Sequence, residues 1–182
     1  LHDDRRLVRE LQDAHDPLLL ELVSPMTSPE GWFLPETYRF VAGDSDYDIL
    51  QRAHQLMQRE LKRVWEARSP NTPLMAPYEA LTLASIVERE TSVAEERATI
   101  AGVFSRRLQA GMRLQTDPTV IYGLGSDFDG NLKRRHLKDA ANPWNTYRIK
   151  GLPPTPIALP GVAALEAAVR PASGAALYFV AR

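Results

Sequence analysis

Apolar positions recur at helical spacing in several stretches of the chain. Leu7, Val8 and Leu11 predict a helix within residues 1–23 that runs up to Pro17. Ile49, Leu50, Ala53, Leu56, Met57, Val64 and Trp65 fall on one stripe of a helix over about 47–67, and Asp44-Ser45-Asp46 offers its N-cap. A further helix follows Pro77 and runs to about Glu90 or Thr91, and the next covers roughly 94–109, ending near Gly111. Between these, SPMTSPEGWFLPETYRF (24–40) is punctuated by Pro25, Pro29 and Pro35 and reads as extended or looped, while SPNTP (69–73) reads as a turn.

Beyond residue 111 the pattern shortens. Asp117-Pro118 reads as an N-cap followed by proline at the first helical position, with Gly123 or Gly125 ending a short helix. NPWNTYRIKGLPPTPIALPG (142–161) is a proline-dense loop, residues 162–169 read as a short helix, and ALYFV as a closing β-strand. Helices first and short strands later predict an α+β fold rather than an alternating parallel one. No internal repeat or low-complexity tract is present.

Composition narrows the function classes. The content of 44% hydrophobic and 25% charged residues is that of a globular protein, and 182 residues suffice for about one domain. A net charge of −1 gives no electrostatic case for nucleic acid. The basic pairs and runs, Arg106-Arg107 and Lys133-Arg134-Arg135, read as solvated faces. Cysteine is absent, which excludes disulfides and thiolate metal sites, and His2, His15, His54 and His136 never fall at a zinc-motif spacing. No metal or cofactor is expected. No apolar run approaches the roughly 20 residues of a membrane span.

The candidate chemistry starts in LTLASIVERETSVAEER (81–97), where Glu88 and Glu90 close an apolar run. A helix turns 100° per residue, so side chains two apart diverge by about 200° and cannot face one site. Glu90 follows the bulky side carrying Leu83, Ile86 and Val87, whereas Glu88 shares its side with Leu81, Ala84 and Ser85. A carboxyl against an apolar wall, at the negative end of a helix, resists ionisation and can donate a proton near neutral pH. Position selects Glu90 over Glu88, but a solvated glutamate at a frayed helix end remains an alternative. Gln115 and Thr116 offer groups of the sort that orient sugar hydroxyls, and Asp117 is either a helix cap or a second carboxylate of a two-acid glycosidase. In the proline loop, Asn142, Asn145, Thr146 and Tyr147 supply polar groups and Trp144 and Tyr147 flat rings suited to carbohydrate; a braced loop plugging the core is the competing account.

LASIVERET, RLQAGMRLQTDPTVIYGLG, NPWNTYRIKGLPPTPIALPG and ALEAAVRPASGAALYFVA occur in this order, preceded by EGWFLPETYRF. Together they closely resemble the endolytic murein transglycosylases, the MltG/YceG-like family, over about residues 28–181. The resemblance implies an N-terminal helical remnant or linker at 1–27 and a catalytic domain at 28–182, truncated at its C-terminus. It implies lytic cleavage of the MurNAc-β-1,4-GlcNAc bond in nascent peptidoglycan strands, leaving 1,6-anhydro ends. The catalytic glutamate maps onto Glu90, with Gln115, Thr116, Asp117, Tyr122, Asn145 and Tyr147 placed around the substrate. Also implied are peptidoglycan synthases as partners, and a place on the outer face of the bacterial inner membrane through an anchor this chain lacks. The alternatives are a non-catalytic murein-binding module and a two-carboxylate hydrolase using Glu90 and Asp117. An aminodeoxychorismate lyase would need pyridoxal phosphate on one of Lys62, Lys133, Lys138 or Lys150, none in a suitable context.

Overall fold

The computed structural model describes residues 7–13 and 16–179. Its helices are α1 (Pro17–Leu22), α2 (Asp46–Glu66), α3 (Pro77–Glu90), α4 (Arg97–Gln109), α5 (Asp117–Leu124), α6 (Arg134–Lys138) and α7 (Val162–Val169), with 3₁₀ turns at Ala94–Glu96 and Gly125–Asp127.

Local chemistry accounts for the long elements. The Ser45 hydroxyl accepts from the Asp48 amide at 3.1 Å, and the Asp48 carboxylate accepts from the Ser45 amide at 2.9 Å. This reciprocal cap starts α2 and contributes about 1 kcal/mol. Ala53, His54, Met57, Leu61 and Val64 then form the buried stripe of α2. Proline at the first position opens α3, and Thr91, in an extended conformation, closes it. The Thr91 hydroxyl accepts from the Val93 amide at 3.0 Å and donates to Glu96, which turns the chain towards α4.

Helix α3 is the axis of the molecule. Every residue from Ala80 to Val87 is buried, because α2, α4, α5 and α7 all pack against it. Such a helix must be apolar on all sides, and Leu81, Leu83, Ile86 and Val87 make it so. Each buried side chain of this size contributes roughly 1.5–3 kcal/mol. Alanines 164, 167 and 168 line the buried face of α7, which packs on both α3 and α4. Ser85 is fully buried on α3 and still satisfied: it donates to the Thr82 carbonyl at 2.7 Å and accepts from the Ile157 amide at 3.0 Å. That second bond pins the proline-dense loop onto the axis. A smaller cluster of Leu11, Leu19, Val23, Phe33 and Ala53 packs the N-terminal segment against α2.

Three expectations need correction. Residues 7–13 are not helical: Val8 pairs with Ser45 in an isolated parallel bridge, its amide donating to the Asp44 carbonyl at 2.9 Å. The helix instead begins at Pro17, where Asp16 caps it by accepting from the Leu18 amide at 3.0 Å; residues 1–6, 14 and 15 lie outside the described ones. The predicted β-strand ALYFV forms no ladder over its described residues 176–179, and Val180 lies beyond them. The carbonyls of Ala176 and Leu177 accept from Arg106 and Arg107 instead, so the segment runs along α4 with no neighbouring strand. Among the described residues the fold is therefore helix-rich with almost no strand, and the β component of the expected α+β class is not seen.

Candidate active site

Glu88 and Glu90 leave the end of α3 in different directions and meet different partners. Glu88 accepts from the Gly161 amide at 3.0 Å and lies 3.6 Å from the Arg97 guanidinium. It satisfies the N-cap residue of α7 and is structurally occupied. Glu90 enters a cleft of about 190 Å³ lined by Glu90, Arg107, Leu114, Gln115, Thr116, Asp117, Tyr147 and Phe179. Burial pushes its carboxyl above the ordinary value, and the negative charge of Asp117 adds to the rise; a hydrogen bond donated by the Thr116 hydroxyl opposes it. A partly buried carboxyl held towards its protonated form is a proton donor in waiting.

The segment facing Glu90 is built to a tight specification. Gln115 has φ +52°, a left-handed conformation that only glycine adopts freely, and its amide donates to the Thr146 carbonyl at 3.2 Å. The Thr116 amide donates to the Thr146 hydroxyl at 3.1 Å. Thr119 reaches back to the Thr116 carbonyl at 2.8 Å, and the Thr119 and Thr146 hydroxyls are 2.8 Å apart. These three threonines are almost wholly buried and bond one another, so the Thr116 hydroxyl is fixed against Glu90. Strain of the Gln115 kind, held by a network that over-determines it, is typical of functional positions.

Asp117 is the first residue of α5, not its cap; the N-cap is Thr116 and makes no side-chain cap bond. Because the helix starts one residue earlier than the Asp-Pro signal implies, the Asp117 carboxylate is free to turn outward. It accepts from the Tyr147 hydroxyl at 2.6 Å. Burial and the adjoining Asp117 charge both push the Tyr147 phenol well above its ordinary value, so it stays a donor. Gly125, with φ +53°, ends α5. A side chain at Gly123 would collide with Asn142, whose amide donates to the Val120 carbonyl at 3.2 Å. This close approach seats the 142–147 loop on α5.

Of the residues the sequence placed around a substrate, the structure brings Gln115, Thr116, Asp117 and Tyr147 together with Glu90, and leaves two outside. Asn145 has no exposed surface. Its amide donates to the carbonyls of His136, Leu137 and Asp139 at 3.1, 3.3 and 2.7 Å, and its oxygen accepts from the Tyr147 amide at 3.0 Å. It orients Tyr147 from behind. Tyr122 packs edge-on against Trp144 at 5.5 Å, and its hydroxyl interacts with Glu30, a carboxyl that burial also raises.

Three residues of the cleft were not foreseen: Leu114, Phe179 and Arg107. Arg107 corrects the reading of Arg106-Arg107 as a solvated pair. It is only 6% exposed, and its guanidinium donates to the carbonyls of Leu177 and Leu114, both at 2.7 Å. Arg106 donates to the carbonyls of Ala176 at 2.7 Å and Ala172 at 3.1 Å. Lys133-Arg134-Arg135 does lie at the surface around the start of α6.

The model of the YceG-like family matches residues 4–182. The chain is 35% identical over 153 residues to an endolytic murein transglycosylase of Bacillus subtilis, covering 84% of this chain and 42% of that protein. It is 31% identical over 159 residues to one of Streptococcus pneumoniae, covering 84% of this chain and 28% of that protein. It is also similar to the crystal structure of a yceG-like protein from Listeria monocytogenes, with a TM-score of 0.73 and 31% identity over 92% of this chain and 59% of that one. The chain thus spans less than half the length of these two curated relatives.

Proposed function

From the premise that this chain belongs to the YceG-like family, we propose that it carries the catalytic cleft of a lytic transglycosylase acting on peptidoglycan. Its relatives bear the name endolytic murein transglycosylase. The observation that carries the reading is Glu90: a carboxyl at the tip of a buried helix, raised by burial, lying in an open cleft beside polar side chains.

In this mechanism Glu90, protonated, gives its proton to the glycosidic oxygen between MurNAc and GlcNAc as that bond breaks. The anomeric carbon passes through an oxocarbenium-like state. The Glu90 carboxylate then takes the proton from the C6 hydroxyl of the muramic acid, whose oxygen attacks the anomeric carbon and closes the 1,6-anhydro ring. One group serves as acid and then base, and no water is consumed. Thr116 holds the Glu90 carboxyl by its hydroxyl, and the charge of Asp117 favours its protonated state. Gln115, Asp117 and Tyr147 supply hydrogen-bonding groups to the sugar. The substrate is the glycan strand of the bacterial cell envelope, cleaved in its nascent form, with peptidoglycan synthases as partners and the outer face of the inner membrane as the place of action.

The proximity of Asp117 to Glu90 favours a second reading, hydrolysis by two carboxylates. Mass spectrometry of murein digests made with the parent chain, Glu90→Gln and Glu88→Gln separates the cases. Anhydro-ended products from the parent and Glu88→Gln, lost in Glu90→Gln, are expected. Reducing-end products indicate the hydrolase. An absence of products from a folded parent that still binds glycan leaves only a binding module.

A further inference from the structure

Arg107 is a buried cation whose bonds do not account for all of its guanidinium. Nε donates to the Leu177 carbonyl at 2.7 Å, and Nη1 donates to those of Leu114 at 2.7 Å and Arg113 at 3.4 Å. Among the described residues Nη2 has no hydrogen-bond partner, and no carboxylate pairs with the group at ion-pair distance. The Tyr178 ring covers one face at 4.8 Å. Burying a cation without a counter-charge is costly, and such groups are normally paired or fully hydrogen-bonded. Here the side chain lines the Glu90 cleft, and its charge is felt at the Tyr147 hydroxyl across that cleft.

The guanidinium is also held still. Three carbonyl bonds and the Tyr178 ring fix its plane, so the remaining edge presents donors in one direction at little further entropic cost. A fixed, positively charged N–H edge is matched by a carbonyl or carboxylate oxygen. A plain hydroxyl matches it less well.

Resting on the proposed glycan-cleaving role, we propose that Arg107 is a substrate-binding residue of this cleft whose free guanidinium edge donates to an acyl oxygen of the bound sugar. Two sources carry that chemistry on a murein strand: the acetamido group and the lactyl carbonyl. Arg107 thereby gives the cleft a preference for acylated amino sugar over plain polysaccharide.

The test uses binding alone, measured by calorimetry in the Glu90→Gln background, so that it does not depend on turnover. The ligands are an uncross-linked murein tetrasaccharide, its N-deacetylated form, and a chitin tetrasaccharide, which lacks the lactyl group. Each is titrated into Glu90→Gln alone, with Arg107→Lys, and with Arg106→Lys. Arg106 grips the same C-terminal segment but does not line the cleft.

Loss of one acyl group should weaken binding about tenfold or more where Arg107 is present, including in the Arg106→Lys protein, and much less in Arg107→Lys. Which ligand shows that Arg107-dependent loss names the oxygen. Equal losses in all three proteins overturn the inference and leave glycan binding intact. No glycan binding in Glu90→Gln overturns both the inference and the proposed function. If Arg107→Lys melts out, the guanidinium ¹⁵N resonances of Arg107 in the Glu90→Gln protein decide: a shift with acylated ligand supports the role, and none overturns it.

Discussion

The Tyr147 hydroxyl donates to Oδ1 of Asp117 at 2.6 Å, joining the proline-dense loop to the first residue of α5 across the mouth of the Glu90 cleft. The bond occupies one oxygen of Asp117 but leaves its negative charge in place, and that charge raises the Glu90 carboxyl. Asp117 therefore bears on Glu90 through its charge.

An uncharged residue at position 117 should move the pH profile. Activity that needs protonated Glu90 falls as pH rises through its pKa. Asp117→Asn removes a contribution that raises that pKa, so the alkaline limb of kcat/KM shifts to lower pH. Rates measured across pH 4–9 on a soluble murein fragment check this (roughly the span in which a raised carboxyl titrates). An unmoved limb would show that burial alone sets Glu90.

Turnover should collapse in Glu90→Gln, by about 10²–10⁴-fold or more, the usual worth of a positioned proton donor. The amide can still accept from Thr116, so the fold is kept. The readouts are the anhydro-product rate and the melting temperature.

Glu90 should also leave a mark on stability. Its folded-state pKa lies above the ordinary 4.5, so the folded protein holds the proton more tightly than the unfolded chain. The associated stabilisation is complete below about pH 4.5 and is lost as pH rises through the folded value. Melting temperature as a function of pH, parent minus Glu90→Gln, should therefore decline with rising pH over that window. Glu30 titrates in the same direction and cancels in the difference.

Glu88 and Gln115 make structural predictions. Glu88→Ala strips the Gly161 amide of its acceptor and should cost about 1–2 kcal/mol in urea unfolding, while Glu88→Gln retains an acceptor and should cost less. Gln115→Gly relieves a left-handed backbone and should raise stability by up to about 1 kcal/mol, with Gln115→Val falling below the parent.

Where the determinants were local, the sequence was a good guide. The cap signal of Asp44-Ser45-Asp46 and the apolar stripe marked α2, Pro77 opened α3, and the 100° turn of a helix separated Glu90 from Glu88. It was a poorer guide where bonds between side chains and backbone groups decided the outcome. Nothing next to Arg106-Arg107 tells which of the two is buried, because the deciding carbonyl of Leu177 is 70 residues away. ALYFV has the residues of a strand, but a strand also needs a neighbour, and the described fold supplies arginines instead. Asn145 has the chemistry of a sugar ligand and spends all of it on backbone groups of its own neighbourhood. The Asp-Pro pair marked a helix start correctly but one residue late, and that single step turned a presumed cap into part of the cleft.

Helix α3 is gripped along two full turns by four other helices, and Glu90 is its last residue. A carboxyl at the tip of so firmly held a rod has little freedom to shift. The groups that face it are held as well, Gln115 by the Thr146 carbonyl and Tyr147 by Asn145 and Asp117. If the cleft cleaves glycan as proposed, it is a fixed anvil, and the fitting falls to the strand laid across it.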